Sequence, residues 1–284
     1  GFFSIVCFNS KRKTLTLARD RLGQKPLYYC NNGKSVFFGS TGNLIPKKFT
    51  SNTRKESFLD FIMYGFIPSP YTMFENLFSV NPGSYIEFYL EKQKTGVKKE
   101  YQYWKPVING DINDLGIAVE DISNAISDSI QEGMDASIDV ACLFSGGVDS
   151  SLILSYARNV NEEICAFTAD FGEHDDAEYR SRTLALTLAH KNHIIRNISR
   201  DDVNDSLGIT SKICESPFDD TSVIPSHIVF SSVKNSGYSV ALTGDGADEL
   251  FCGYSSFGNL KKMEILLDKK FDLLRKYPGN FFKT

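Results

Sequence analysis

The sequence contains no apolar run long enough to cross a membrane, and residues 1–8 (GFFSIVCF) lack the basic flank and cleavage site of a secretion signal. Its six cysteines (Cys7, Cys30, Cys142, Cys165, Cys214, Cys252) include no C-x-x-C pair, which speaks against a zinc knuckle or a disulfide framework and for buried free thiols. The four histidines, His174, His190, His193 and His227, have no metal-ligand spacing and are expected at the surface or as caps. No G-x-G-x-x-G occurs, so a dinucleotide fingerprint is excluded, and no lysine follows a glycine-rich loop in the Walker A manner. Internal repeats and low-complexity segments are absent as well. A cytoplasmic protein is the expectation, and the N-x-S matches at Asn197 and Asn204 carry no weight there.

What is present is enough for two cores. The chain has 284 residues, 42% of them hydrophobic and 13% aromatic, and a net charge of -4. That charge hides an asymmetry: residues 1–104 hold 15 Lys/Arg against 7 Asp/Glu, and residues 105–284 hold 16 against 28. A boundary near Trp104 follows, with residues 105–114 as a linker rich in loop formers. The lysines of the basic half fall at strand ends and turns and form no aromatic-interleaved patch, so nucleic acid is not an expected partner.

Before the boundary, short β-rich runs at 2–8, 14–18, 26–30, 35–39, 84–90 and 100–104 predict a sheet domain, with a helix at 55–65. After it the rhythm changes. Helices are predicted at 115–131, 150–158, 177–190 and 225–234, and strands at 138–144, 164–168 and 238–243, the alternation of an α/β parallel-sheet domain.

Two loops carry chemistry. The first predicted strand of the second half runs into Ser145-Gly146-Gly147-Val148-Asp149-Ser150-Ser151 and then into a helix. Adjacent glycines let the backbone approach an oxyanion, and a helix N-terminus aims free N–H groups and a positive dipole end at it. About a hundred residues later, a strand leads into Gly244-Asp245-Gly246-Ala247-Asp248-Glu249, three carboxylates beside two glycines. Carboxyl ends of parallel strands are where open α/β sheets hold ligands.

The first loop resembles the S-G-G-x-D-S pyrophosphate loop of the ATP pyrophosphatase superfamily. Together the two loops resemble those of the glutamine-hydrolysing asparagine synthetase family, whose second motif reads G-[ED]-G-x-D-E-L-F-G-G-Y. Residues 18–29 (ARDRLGQKPLYY), 64–70 (YGFIPSP), 82–84 (PGS) and 215–225 (ESPFDDTSVIP) are similar to that family too, so the resemblance covers nearly the whole chain. It implies an α+β N-terminal-nucleophile glutaminase domain, incomplete, over residues 1–104, and an incomplete ATP pyrophosphatase domain over 115–284.

The resemblance also implies roles. Leu143, Ser145, Gly146, Gly147, Asp149, Ser150, Ser151, Ala169, Thr243 and Gly244 would bind ATP. Asp149 and Asp248 would hold Mg²⁺, and Asp245 would handle the substrate. The implied reaction adenylates the side-chain carboxylate of aspartate, releases pyrophosphate and forms an amide with ammonia drawn from glutamine. Related amidotransferases act on other carboxylates, such as the sugar acids of surface polysaccharides, and a catalytically incomplete chain acting as a binding or assembly module is the alternative from a different class. A homodimer is compatible with the family.

Departures from the family pattern shape further expectations. Gly1 stands where no nucleophilic terminal cysteine is available, and the family's lysine at the adenylate has no counterpart among the matched motifs. A fragment is therefore expected, unable to hydrolyse glutamine but able to bind ATP. Cys252 stands where the family has glycine, and Asp245 where some members have glutamate.

Overall fold

The computed structural model describes residues 1–91, 94–107, 110, 112, 114–135, 138–172, 192–214, 216–217 and 219–257. The helix expected at 177–190, with His174 and His190, lies outside the described residues. The chain divides into two compact units, Gly1–Asn113 with Arg200–His227, and Asp114–Ser199 with Ile228–Thr284.

In the first unit, β1 (Ser4–Asn9), β2 (Thr14–Arg19), β6 (Ser84–Glu91) and β7 (Lys94–Gln102) form an antiparallel sheet in the order β1-β2-β6-β7. A second, three-stranded sheet joins β3 (Tyr28–Asn31), β4 (Val36–Gly39) and β5 (Phe78–Ser79) in the order β4-β3-β5. Alternation explains the core: Leu15 and Leu17 of β2 and Ile86 and Phe88 of β6 point inward with Leu27 and Val80. The strand expected at 100–104 begins earlier, at Lys94, because its polar first half carries no alternating signal for sequence to display.

The segment after β2 is held by its own charges. The Arg19 guanidinium donates to the carbonyls of Lys25 (3.0 Å), Val80 (2.9 Å) and Gly23 (2.6 Å). The buried Asp20 carboxylate accepts from the amides of Gln24 (2.9 Å) and Lys25 (2.8 Å). Helix α1 (Glu56–Tyr64) ends at the left-handed Gly65, whose N–H donates to Phe61 O. The carbonyl of Gly65 accepts from Asp219 N at 2.6 Å, which joins two of the segments that carry the family resemblance.

The second unit opens on α2 (Leu115–Met134), capped by the Asp114 carboxylate, which accepts from Gly116 N (2.7 Å) and Ile117 N (3.1 Å). There follow β8 (Val140–Leu143), α3 (Val148–Val160), β9 (Cys165–Asp170) and β10 (His193–Asn197). Helix α4 (Arg200–Ile213) belongs to the first unit; α5 (Val223–Asn235), β11 (Val240–Leu242) and α6 (Ala247–Phe251) complete the described chain. Among the described residues all strand pairs of the second unit are parallel, in the order β10-β9-β8-β11. Successive residues of β8 and β9 face opposite ways. Cys142 and Ala166 pack with Ile130 of α2 and with Leu154 and Ala157 of α3, and Ala141, Cys165 and Phe167 pack with Val229 and Val233 of α5. The sheet is thus covered on both faces, as the near-continuous apolar runs of its central strands require.

The sequence reading did not anticipate α4 or β10. Helix α4 has a glycine at its centre, Gly208, and a polar sequence, while β10 leaves Ile194 and Ile195 exposed. In α4 the buried positions are the polar Ser206 and Thr210, and in β10 the adjacent Ile194 and Ile195 are both exposed, so neither displays the apolar residues that mark a core-facing element.

Candidate functional site

From β8 the chain runs in one direction through α3 to β9 and on to β10, whereas β11 lies on the other side of β8. The strand order therefore reverses at β8, and the loops that leave the carboxyl ends of β8 and β11 flank the crevice this creates. These are the two loops singled out by sequence.

The first loop leaves the sheet after Phe144, whose N–H donates to Phe167 O at 2.8 Å. Gly146 takes a positive φ of 84°, which a side chain would resist, and Gly147 is the N-cap of α3 with no side-chain cap. The N-cap residue therefore offers no side chain to the first-turn amides of α3. The loop is closed by its hydroxyls. The buried Ser150 Oγ accepts from Ser145 N (3.2 Å), lies 3.0 Å from Ser145 Oγ and donates to Gly147 O (3.2 Å). Gly147 N in turn donates to Ser145 Oγ (3.3 Å), and Ser151 Oγ donates to Gly147 O (2.7 Å).

The serines consequently differ. Ser145 is exposed and Ser151 half-buried, but the Ser150 hydroxyl is turned into the loop, where it holds the turn. Leu143 and Ala169 are both partly buried against the α5 side of the sheet, at the ends of adjacent strands.

In the second loop, Asp245 N donates weakly to Thr243 Oγ1 (3.4 Å) and Ala247 N to Gly244 O (3.3 Å). A Cβ placed on Gly244 would stand 3.1 Å from Asp149 Cβ and 3.1 Å from Ser150 N. Gly244 thus lets the second loop lie directly on the start of α3 and brings Asp149 to the junction. Asp245 is exposed. Asp248 is half-buried, with its carboxylate over Gly253, where a Cβ would fall 1.8 Å from Oδ1. Cys252 ends α6 in the left-handed region with φ 57°, so the position where the family has glycine has the backbone that favours glycine.

A pair of glycines and uncapped amides suits the phosphates of a nucleotide. For a divalent cation the fit is thinner. Asp149 and Asp248 offer the one or two carboxylates that Mg²⁺ takes when phosphate oxygens complete its shell, and no group of three or more His, Cys, Asp or Glu able to hold a metal occurs among the described residues.

Other titratable groups lie apart from this chemistry. Burial pushes the Cys142 thiol up to about 12 and raises those of Cys165 and Cys30, which makes them inert. The expectation of buried thiols holds for these three, whereas Cys7 and Cys252 are exposed and Cys214 is intermediate. His193 is not the surface or capping residue expected. It is half-buried, with Nε2 2.8 Å from Thr168 Oγ1, and burial lowers its pKa. His227 is likewise half-buried, with Nδ1 2.8 Å from Ser206 Oγ. Sequence reasoning missed Thr168 and His193 because nothing local distinguishes them from core residues.

Two family models match the chain in succession. The asparagine synthase family model matches residues 121–283, and a glutamine amidotransferase domain model matches residues 1–104. Among curated proteins, the chain is 28% identical over 273 residues to one from Methanocaldococcus jannaschii named putative asparagine synthetase (glutamine-hydrolyzing) 2, covering 94% of this chain and 52% of that one. It is 30% identical over 261 residues to asparagine synthetase (glutamine-hydrolyzing) 1 of Bacillus subtilis, covering 90% and 40%. The chain thus spans about half the length of the curated relatives it matches. Among solved structures it is similar to an NH3-dependent NAD synthetase from Campylobacter jejuni, at 18% identity and a TM-score of 0.35 over 48% of this chain and 60% of that one, a likeness too slight to bear on the fold. With the family model matched across the two loops and the whole parallel sheet, the chain belongs to the asparagine synthase family.

Proposed function

We propose that this chain carries the ATP site of an amide-forming ligase that activates the side-chain carboxylate of aspartate. ATP lies with its phosphates on the turn Ser145-Gly146-Gly147 and the first amides of α3, with Asp149, Ser150 and Ser151 completing the loop. Adenine is lined by Leu143 and Ala169, and Thr243 and Gly244 close the pocket. The aspartate carboxylate attacks the α-phosphorus, the bond to the bridging oxygen of pyrophosphate breaks, and ammonia then displaces AMP to leave an amide. Two anions meet in that first step, so backbone donors fixed in advance are worth most there. Mg²⁺, held by Asp149 and Asp248, would neutralise charge on the phosphates. Asp245, exposed beside the junction, handles the substrate. In a full-length protein of the family ammonia comes from glutamine, through the amidotransferase domain whose model matches residues 1–104 here; for this chain alone free ammonia is the nitrogen donor.

The observation that carries this reading is the contact of Gly244 with Asp149 and Ser150 at the strand-order reversal, which sets the acidic loop against the uncapped α3 N-terminus. Exchange of labelled pyrophosphate into ATP, dependent on added aspartate and abolished by Asp149→Asn, is the expected result. Exchange that responds to another carboxylate and ignores aspartate would move the substrate to the related amidotransferases. Absence of Mg-ATP binding would refute the site.

A further inference from the structure

Three polar groups in a row end on the peptide from which the phosphate loop departs. The carbonyl of Phe144 accepts from the Thr168 hydroxyl, and Thr168 Oγ1 lies 2.8 Å from His193 Nε2. The His193 ring meets the Phe144 ring edge to face, with centroids 5.7 Å apart. Phe144 and Thr168 are buried at 2% and 4% exposure, so neither the hydroxyl nor the carbonyl has water as a ready alternative.

The chemistry fixes the direction of this chain. A threonine hydroxyl has one hydrogen, and here it goes to Phe144 O; its lone pairs then require a donor, so His193 carries its hydrogen on Nε2. Hydrogen bonds in series polarise one another, and the two form a relay from β10 through β9 to the end of β8. The next residue, Ser145, is the first of the loop, and its amide and hydroxyl both meet Ser150.

We infer that Thr168 and His193 are positioning residues for the ATP phosphates: through the relay they set the orientation of the Phe144–Ser145 peptide and hence of the loop amides. This deepens the proposed function and rests on its reading of residues 145–151 as the phosphate cradle. Neither residue touches the nucleotide, and their effect passes through backbone alone.

Two measurements on the full chain test it: the Kd for Mg-ATP by calorimetry, and amide hydrogen exchange of residues 145–151 without ligand. Thr168→Val keeps the shape and removes the relay, and should weaken Mg-ATP binding by about five- to tenfold, the worth of one buried hydrogen bond. It should also speed exchange in the loop while the amides of β8 and β9 keep wild-type protection. His193→Leu should do the same. Thr168→Ser retains a hydroxyl and His193→Gln an N–H donor of similar reach, and both should stay within about twofold of wild type.

If Thr168→Ser is as weak as Thr168→Val, packing of the methyl group and not the relay is responsible, and the inference falls. It falls equally if Thr168→Val leaves both Kd and loop exchange unchanged. Should the wild-type chain not bind Mg-ATP, the nucleotide reading fails by itself, and the loop exchange of the valine and serine variants still decides whether the relay holds the loop.

Discussion

Adding a single methyl group at Gly244 probes the contact on which the site is built. The new Cβ of Gly244→Ala would lie 3.1 Å from Asp149 Cβ, 3.1 Å from Ser150 N and 3.3 Å from Asp149 C. Ordinary carbon contacts lie at about 3.5–4.0 Å, so the neighbours must retreat by a few tenths of an ångström. They cannot do so by turning a flexible side chain, because two of the three atoms are backbone in the first turn of α3 and the third is a Cβ attached to it. That turn is further tied by the bonds of Ser150 Oγ to Ser145 and Gly147. Overpacking of this kind costs about 1–3 kcal/mol, offset by about 0.4–1 kcal/mol from the smaller entropy of the unfolded alanine chain, since Gly244 is not among the glycines of positive φ. A net loss of about 1–2 kcal/mol should lower Tm by roughly 2–8 °C for a unit of this size. Thermal unfolding reads that loss, and calorimetry with Mg-ATP should show weakened binding, because the displaced atoms include the amide of Ser150. A Gly244→Ala protein as stable as wild type and binding ATP equally would mean that the two loops do not touch, and the proposed site would lose its main support.

Three further outcomes are expected. Cys252→Gly should stabilise the C-terminus of α6 by about 0.5–1 kcal/mol in thermal or urea unfolding, because a side chain at φ 57° is strained and glycine is not. Gly208→Ala should stabilise α4 by a similar amount, about 0.5–1 kcal/mol, since Gly208 is mid-helix and a Cβ there meets nothing within 4 Å; destabilisation would indicate that the helix packs against something at that position. Burial pushes the Asp20 carboxyl up, but the amides of Lys25, Gln24, Gly23 and Leu22 outweigh it and hold its pKa below the usual carboxylate range. Its stabilising contribution is therefore present above the unfolded value near 3.9 and is lost as pH falls through the depressed folded value. Asp20→Asn should flatten the stability profile in that acidic window and cost about 1–3 kcal/mol at neutral pH, as the amide leaves one of Gln24 N and Lys25 N without its acceptor.

The sequence displayed the local parts of the site and concealed the relations between them. The run from β8 through Ser145-Gly146-Gly147 into α3 was legible because each signal is short-range: buried apolar residues, adjacent glycines, then a helical pattern. Expected limits moved by only a few residues, from 150–158 to Val148–Val160 for α3 and from 138–144 to Val140–Leu143 for β8. The different duties of the serines were not legible, since Ser145, Ser150 and Ser151 are one residue type and only the burial of Ser150 separates the brace from the other two. Nor was the relay, whose members at 144, 168 and 193 belong to three separate elements. Cys252 was visible as a departure from the family, but its physical meaning came from a backbone angle.

Strand order makes the two motifs one site. Residues 145–151 and 243–248 are almost a hundred positions apart, and any parallel arrangement would send both to the carboxyl edge of the sheet. Had β11 added beyond β10, however, two strands would separate the loops. With neighbouring strands about 4.8 Å apart, that is more than a nucleotide's phosphates could bridge while also lying on the α3 amides. Because β11 pairs with β8 through Val240↔Val140, Ala241↔Ala141 and Leu242↔Cys142, the loops leave from adjacent strands at the same height. Gly244 then converts adjacency into contact. On the other flank of β8, β9 supplies the Thr168 hydroxyl to Phe144 O, so the strand that carries the proposed phosphate loop is held from one side and met by the second loop from the other. The proposed function depends on which strands are neighbours, and Gly244→Ala or Thr168→Val should disturb nucleotide binding without either position touching the phosphates through a side chain.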